Sequence, residues 1–190
     1  MSGAASSLAV AVPQALHPPL APSVGDTGSG PDAADFRLAM RRLPGAVSIV
    51  ATRHAGVSAG MVATSVASLC ADPPSLTVGI GHGVSMYPLL MQSGRFSVNV
   101  LTVRQENLIA LFSGALKGEA RFAHGGWDVE DDLPILPAAQ ATLVCEVADR
   151  LAYGAHDVIV GRILSIRNAA HAAPLIWQDG APHASRRLAP

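Results

Sequence analysis

Short segments rich in apolar and β-branched residues are separated by turns along most of the sequence, and this pattern predicts a protein built mainly of strands. Residues 141–149 alternate in the manner of a strand with one buried face, and the apolar side chains on that face belong to Leu143, Cys145 and Val147. The predicted strands are residues 47–52, 60–69, 75–80, 95–101, 141–149, 157–166 and 175–178.

Helices are few and short in the same pattern. Asp32 can cap a first helix that Pro44-Gly45 ends, and its apolar residues are Phe36, Leu38, Met40 and Leu43. Two more short helices are predicted over residues 87–92 and 104–113. So many strands with so few helices favour a mainly β fold, an antiparallel sheet closed into a barrel, over an alternating βαβ array.

The 190 residues are enough for one domain and a tail. Residues 1–31 are rich in Ala, Pro, Ser and Gly and carry almost no charge, so we expect a disordered N-terminal tail. We expect the folded domain to span residues 32–185 and a short C-terminal tail to follow over residues 186–190.

Charge and composition exclude several classes of function. A formal net charge of −1 and an aromatic content of 4% argue against nucleic acid and anionic membranes as partners. Cys70 and Cys145 form no disulfide framework, and none of the seven histidines has the spacing of a metal site. With no secretory leader and no long apolar run either, the sequence predicts a metal-free cytoplasmic protein.

Two motifs that suggest other enzymes lack the context they require. Residues 56–60 match G-x-S-x-G, but the residues that follow favour a strand, whereas a hydrolase nucleophile elbow needs a helix there. Residues 79–83 hint at a dinucleotide fingerprint, but Val84 stands where its third glycine would fall. We interpret the first as a hairpin connection and the second as a loop that comes close to another backbone or a ligand.

Residues 60–74, GMVATSVASLCADPP, combine small and hydroxyl side chains in a way that suits a ligand-binding strand. Small side chains let a ligand approach the backbone, and the hydroxyls of Thr64, Ser65 and Ser68, together with exposed N–H groups, can bind a phosphate or a polar ring edge. By composition alone, the pattern is more often that of an ordinary strand with one solvated face.

An ordered set of segments resembles the flavin reductase-like family, the FMN-binding split-barrel reductases that serve two-component flavin-dependent monooxygenases. The resemblance covers about residues 35–183. The segments that carry it are residues 36–52 (FRLAMRRLPGAVSIVAT), 60–74, 93–101 (SGRFSVNVL), 111–114 (LFSG), 121–122 (RF), 153–163 (YGAHDVIVGRI) and 174–177 (PLIW).

The resemblance implies a homodimeric split barrel that binds FMN or FAD in a groove near the subunit interface. It also implies that NADH or NADPH donates a hydride and that reduced flavin passes to a separate monooxygenase. His156 matches a residue placed near the nicotinamide and is the candidate catalytic residue. The residues that match flavin-contacting positions are Ala63, Thr64, Ser65, Ser68, Leu69, Cys70, Gly83, Val84, Ser85, Met86, Arg121 and Phe122.

The sequence departs from the family pattern at several of these positions. Thr64 stands where Asn is common, Cys70 where Ser is common, and Ala155 where Asp is usual. Residues 82–87 lack the usual Arg-Ser-Ser pattern, and residues 180–183 lack a common Arg-Tyr pair. These departures bear on flavin affinity and flavin choice more than on the fold.

Hydride transfer between two cofactors needs no protein nucleophile, so the site is expected to be mostly backbone groups and hydroxyls with Arg121. Two other functions remain open on the same barrel: a flavin-binding sensor or carrier without turnover, and an oxidase related to those that act on pyridoxine phosphate. The sequence does not decide between FMN and FAD or between NADH and NADPH.

Overall fold

The computed structural model describes residues 30–188, and residues 1–29 and 189–190, with most of the predicted N-terminal tail, lie outside it. Its helices are α1 (Ala33–Arg41), α2 (Met86–Ser93) and α3 (Asn107–Ala110). Its strands are β1 (Gly45–Ala46), β2 (Ser48–His54), β3 (Val57–Ala63), β4 (Ala67–Ala71), β5 (Pro74–Gly81), β6 (Arg95–Val100), β7 (Asp128–Glu130), β8 (Leu133–Ile135), β9 (Ala141–Tyr153), β10 (His156–Asn168), β11 (Leu175–Gln178) and β12 (Ala181–Ala184).

Seven strands form one antiparallel sheet in the order β3-β2-β6-β9-β10-β5-β4. Its two edge strands, β3 and β4, are consecutive in the chain, so the sheet curls until its two edges come near each other. Two small sheets complete the fold, with β1-β11-β12 in one and β7-β8 in the other. This arrangement confirms the predicted mainly β class and its antiparallel barrel.

Both faces of the central strands are buried, because two apolar clusters lie on either side of the sheet. Ile49 and Val50 are neighbours in β2, and their side chains point to opposite faces. Val50 belongs to the cluster that includes Phe96 and Ile159, whereas Ile49 belongs to the cluster that includes Leu108 and Phe112. Ile49, Val50, Phe96 and Ile159 have no solvent exposure.

Helix α1 begins as predicted, because the carboxylate of Asp32 accepts hydrogen bonds from the N–H groups of Ala34 and Asp35. No residue of α1 is buried, however. Its apolar residues Phe36, Leu38 and Met40 remain 44–56% exposed, so no part of residues 30–188 covers the apolar face of this helix.

Two sequence predictions about elements are wrong in detail. The strand predicted over residues 60–69 is interrupted at residues 64–66, where the chain leaves one edge of the sheet and joins the other as β4. The helix predicted over residues 104–113 is divided into a 3₁₀ turn, α3 and a π-helical segment at Leu111–Ala115. In both places local propensity favours one continuous element, and tertiary packing breaks it.

The first of the two discounted motifs behaves as expected. Residues 55–56 form the turn of the β2–β3 hairpin, and Ser58 lies in a strand, not at the start of a helix. The second, residues 79–83, is predicted as a loop, and this is wrong for its first half: Gly79 and Gly81 belong to β5, and Gly83 lies in the loop that follows.

Candidate functional site

The segment that crosses from β3 to β4 is held in place by side-chain hydrogen bonds of Ser65. In the crossing segment between β3 and β4, the Ser65 hydroxyl accepts from the Gly79 N–H at 3.2 Å and donates to the Gly79 carbonyl at 3.3 Å. Because β5 contains Gly79, this contact holds the crossing segment against β5. The edge of β3 that faces away from β2 is thereby available to form the wall of a pocket.

A pocket of about 350 Å³ lies against residues 60–62 of β3. Three short segments and one arginine converge on it from distant parts of the sequence. Its lining residues are Gly60, Met61, Val62, Gly83, Val84, Ser85, Phe112, Ser113 and Arg121.

The aromatic wall of this pocket fits tightly against Gly60. A Cβ atom added at Gly60 would lie 3.0 Å from Cε1 of Phe112 and 3.1 Å from the carbonyl oxygen of Val50. The Phe112 ring packs in turn on Phe122 and Trp127, with ring centroids 5.2 and 5.5 Å away. A glycine at this point of β3 therefore lets the aromatic cluster come close enough to shape the pocket.

Arg121 is fixed by the backbone on both sides of the pocket. Its Nε donates to the carbonyl of Leu116 at 2.8 Å, and its Nη1 donates to the carbonyl of Gly60 at 2.8 Å. Within residues 30–188 its Nη2 makes no hydrogen bond. This arrangement places a permanently charged, half-buried guanidinium at the pocket with one nitrogen available to an anion.

The loop of residues 82–85 leads into α2 and presents backbone groups to the pocket. Ser85 is the N-cap residue of α2, and its hydroxyl caps none of the helix N–H groups. The first turn of α2 contains no acidic residue either. The Tyr87 N–H donates to the Val84 carbonyl and Pro88 has no N–H, so the start of this helix offers the N–H groups of Ser85 and Met86 and the Ser85 hydroxyl beside the pocket, a combination that favours anions.

Behind this loop lies an almost fully buried carboxylate. Asp157 is 1% exposed, and its carboxylate accepts hydrogen bonds from His82 Nε2 at 2.7 Å, from the Tyr87 hydroxyl at 2.7 Å and from Arg150 Nη1 at 3.2 Å. Burial opposes ionisation, but the His82 and Tyr87 hydrogen bonds and the Arg150 charge outweigh it and lower the pKa of Asp157. Burial and the hydrogen bond to Asp157 raise the pKa of Tyr87, so the phenol stays protonated and donates.

His156 lies beside this loop but does not line the described pocket. It is exposed at the start of β10, and its Nε2 would lie 3.2 Å from a Cβ added at Gly81. The turn before it is tied to the loop, because the His82 N–H donates to the carbonyl of Ala155 at 2.9 Å. The structure thus brings the candidate nicotinamide residue next to the candidate flavin loop.

The predicted flavin residues fall into three groups. Gly83, Val84, Ser85 and Arg121 meet in the pocket. Thr64 lines a neighbouring cavity of about 440 Å³ that shares Val62 and Ser113 with the first, so the two form one groove along β3. The remaining predicted residues line neither cavity: Ala63, Ser65, Ser68, Leu69, Cys70, Met86 and Phe122.

The structure places the side chains of two of these predicted residues away from the pocket. The side chain of Met86 is fully buried in the core, so only its backbone N–H at the start of α2 can face a ligand. Phe122 packs its ring on Phe112 and Trp127 and supports the pocket wall from behind. The sequence did not point to Met61, Val62, Ser113 or Trp177 as wall residues, since only the crossing of distant segments brings them together.

Among residues 30–188, no group of three or more His, Cys, Asp or Glu side chains is arranged to hold a metal ion. In the same part of the chain, no helix has both the length and the apolar character needed to span a membrane.

The fold is that of an antiparallel split-barrel protein, with a groove along β3. Residues 40–185 match the family described as "flavin reductase like domain", and the chain belongs to this family. The family recognised from the sequence motifs is therefore confirmed.

Characterised relatives agree with this assignment. The chain is 34% identical over 143 residues to the FMN reductase (NADH) RutF of Pseudomonas syringae pv. syringae, which covers 75% of this chain and 80% of that protein. It is 34% identical over 148 residues to the reductase component of the FADH(2)-dependent resorcinol hydroxylase of Rhizobium sp., and this match covers 76% of this chain and 83% of that protein. The solved flavin reductase of styrene monooxygenase from Pseudomonas putida S12 superposes with a TM-score of 0.73 at 25% identity, covering 81% of this chain and 99% of that one.

Proposed function

We propose that this protein is an NAD(P)H:flavin oxidoreductase that reduces FMN or FAD and supplies reduced flavin to a separate monooxygenase. The observation that carries the proposal is the pocket in which Gly83, Val84, Ser85 and Arg121 meet beside β3, in a chain of the flavin reductase like family. Relatives named FMN reductase (NADH) favour NADH as the hydride donor.

The residues of the groove fit a flavin. The uncapped start of α2 and the free Nη2 of Arg121 offer donors for a phosphate, and such charge-assisted hydrogen bonds contribute roughly 1.5–3 kcal/mol each. Val62, Phe112 and the backbone of Gly60 provide an apolar wall for a planar ring. The proposed flavin site therefore runs along β3 from the 83–85 loop towards Thr64.

The protein's part in the reaction is to bind and align two cofactors. A bound flavin supplies the electron acceptor for the hydride of the nicotinamide. Two backbone carbonyls already hold Arg121 at the pocket, so binding of an anion there requires little reorganisation of this side chain. His156, beside Gly81, positions the nicotinamide over the same groove.

The proposed reductase is a homodimer. All five residues of the edge strand β4 are exposed, and Leu69 on it is 52% exposed. Leu164 and Ile166 in the second half of β10 are 43% and 53% exposed, beyond the point where β5 ends its pairing. An unpaired edge next to exposed apolar side chains is typical of a surface that a second copy covers.

The dimer is tested by Ile166→Arg, which places a charge in the proposed interface. We expect this variant to sediment as a monomer in analytical ultracentrifugation, whereas Val57→Arg, a matched change at a 46% exposed position in the β2–β3 hairpin, leaves the dimer intact. A monomeric unmodified protein would refute the dimer.

The proposed reductase acts in the cytoplasm, where thiols stay reduced. Cys70 is exposed, Cys145 is buried, and both are free. Burial raises the pKa of Cys145 to about 12, so this thiol is inert in the folded protein.

The activity is tested by mixing the protein anaerobically with each flavin in large excess and with NADH or NADPH. We expect catalytic loss of the oxidised flavin absorbance with at least one pair, fastest with NADH. Loss limited to one equivalent per protein would instead indicate a flavin-binding sensor or carrier. In the same assay, His156→Ala should raise the KM for the nicotinamide, and an unchanged KM with unchanged turnover would remove His156 from the mechanism.

A further inference from the structure

One buried carboxylate holds both ends of the loop that lines the pocket. His82 begins this loop and Tyr87 follows it in the first turn of α2, and both donate hydrogen bonds of 2.7 Å to Asp157. The carboxylate is on β10, 70 or more residues away in the sequence, and is 1% exposed. Asp157 therefore ties the entry and the exit of the loop to the barrel.

The three side chains around this carboxylate have hydrogen-bonding roles that match it. An ionised carboxylate only accepts, and the imidazole N–H, the phenol and the guanidinium of Arg150 all donate to it. Arg150 Nη1 also donates to the Tyr87 hydroxyl at 3.0 Å, and the rings of His82 and Tyr87 lie 5.0 Å apart. Removal of one donor therefore disturbs a network and not a single pair.

The loop between these ends has its own support at Val84, which packs against the apolar core and whose carbonyl accepts a hydrogen bond from the Tyr87 N–H at 3.0 Å. The residues on either side of Val84 are less constrained. A Cβ added at Gly83 would meet no atom within 4 Å, so packing does not confine this residue. Within residues 30–188, the hydroxyl of Ser85 makes no hydrogen bond, and the backbone bond from the Val84 N–H to the Gly81 carbonyl is long at 3.2 Å. The position of Gly83 and Ser85 at the pocket thus depends on how the two ends of the loop are anchored.

We propose that His82, Tyr87 and Asp157 form a clamp that positions the 83–85 loop for flavin binding. The inference rests on the proposed function, because it assumes that the loop contacts flavin. The chain lacks the Arg-Ser-Ser pattern at residues 82–87, and the clamp fixes the loop by contacts of its own. The three residues are positioning residues, and the hydride transfer step does not involve them.

The test compares flavin affinity in matched variants, measured as the FMN dissociation constant by flavin fluorescence and alongside thermal unfolding. His82→Phe keeps a ring beside Tyr87 but loses the N–H donor, whereas His82→Gln keeps a donor that can reach Asp157. We expect His82→Phe and Tyr87→Phe each to weaken FMN binding about tenfold, a change of about 1.4 kcal/mol. His82→Gln should restore most of the affinity. Because His82 and Tyr87 bind the same carboxylate, the double variant that combines His82→Phe with Tyr87→Phe should weaken FMN binding by less than the product of the two single effects.

The controls separate this inference from the proposed function. Arg53→Gln removes an exposed ion pair with Asp132 and should leave FMN affinity unchanged. Absence of saturable FMN binding and of turnover in the unmodified protein would refute the proposed function itself. If the unmodified protein binds FMN but the two Phe variants bind it equally well, or if His82→Gln is as weak as His82→Phe, the clamp is refuted. Should Tyr87→Phe fail to fold by circular dichroism, the two His82 variants decide alone.

Discussion

At the residue scale, the chemistry of this protein depends on a few polar groups placed at or below the surface of an apolar barrel. Arg121 is held by two carbonyls at the pocket, and Asp157 is held by three donors behind it. Resemblance to a family identified Arg121 and His156 from sequence. It did not identify the His82–Asp157–Tyr87 network, since nothing in the sequence relates an aspartate near the start of β10 to a histidine in the loop after β5 and a tyrosine in α2.

The lowered pKa of Asp157 predicts a defined pH dependence of stability. A carboxyl whose pKa is lower in the folded state binds protons more readily when unfolded, so its contribution is present at neutral pH and is lost as pH falls below about 4. We expect Asp157→Asn to reduce the free energy of unfolding by roughly 3 kcal/mol at pH 7, because Arg150 loses its charged partner. Urea unfolding at several pH values should show this difference shrinking towards acid pH.

The exposed Asp132 provides the control for this experiment. Asp132→Asn removes a solvent-exposed ion-pair partner of Arg53 and should change the free energy of unfolding by less than about 0.5 kcal/mol. A pH-independent difference between Asp157→Asn and the unmodified protein would show that charge at Asp157 does not contribute to stability.

At the scale of elements, the site depends on places where regular structure stops. β3 gives way to the crossing segment at residues 64–66, and the helix after residue 106 becomes a π segment that points Phe112 at Gly60. Most of the seven predicted strands agree with the structure to within one or two residues, for example Leu175–Gln178, whereas the short strands β1, β7, β8 and β12 were not predicted. Propensity could not give these interruptions. At residues 64–66, for example, no Gly or Pro marks a break, and the strand ends there because the chain must pass from one edge of the sheet to the other.

Gly60→Ala tests the tight contact between β3 and the aromatic wall. The new methyl group would lie 3.0 Å from the Phe112 ring and 3.1 Å from a backbone oxygen, so the ring must move away from β3. We expect a loss of about 1–3 kcal/mol in unfolding free energy and a higher KM for flavin, measured by chemical unfolding and by steady-state kinetics. Unchanged stability and an unchanged flavin KM together would show that this contact does not shape the site.

At the scale of the whole molecule, the barrel brings the loop before α2 and the segment containing Arg121 to one groove, and places the start of β10 beside that loop. The sequence pattern predicted the class of fold, because alternating strands and scarce helices leave few other architectures. It could not predict which strand edges stay open, since strand order depends on long-range pairing. Only in the folded chain do β3 and β4 become the edges, with a site along one and an exposed strip along the other.

The most direct test of the central claim is a crystal structure of the protein with bound FMN. We predict that the flavin lies along β3, with its phosphate at the start of α2 and at Arg121 and its ring against Val62 and Phe112. A flavin bound elsewhere, for instance on the exposed apolar face of α1, with the 83–85 loop and Arg121 free of contact, would contradict the account.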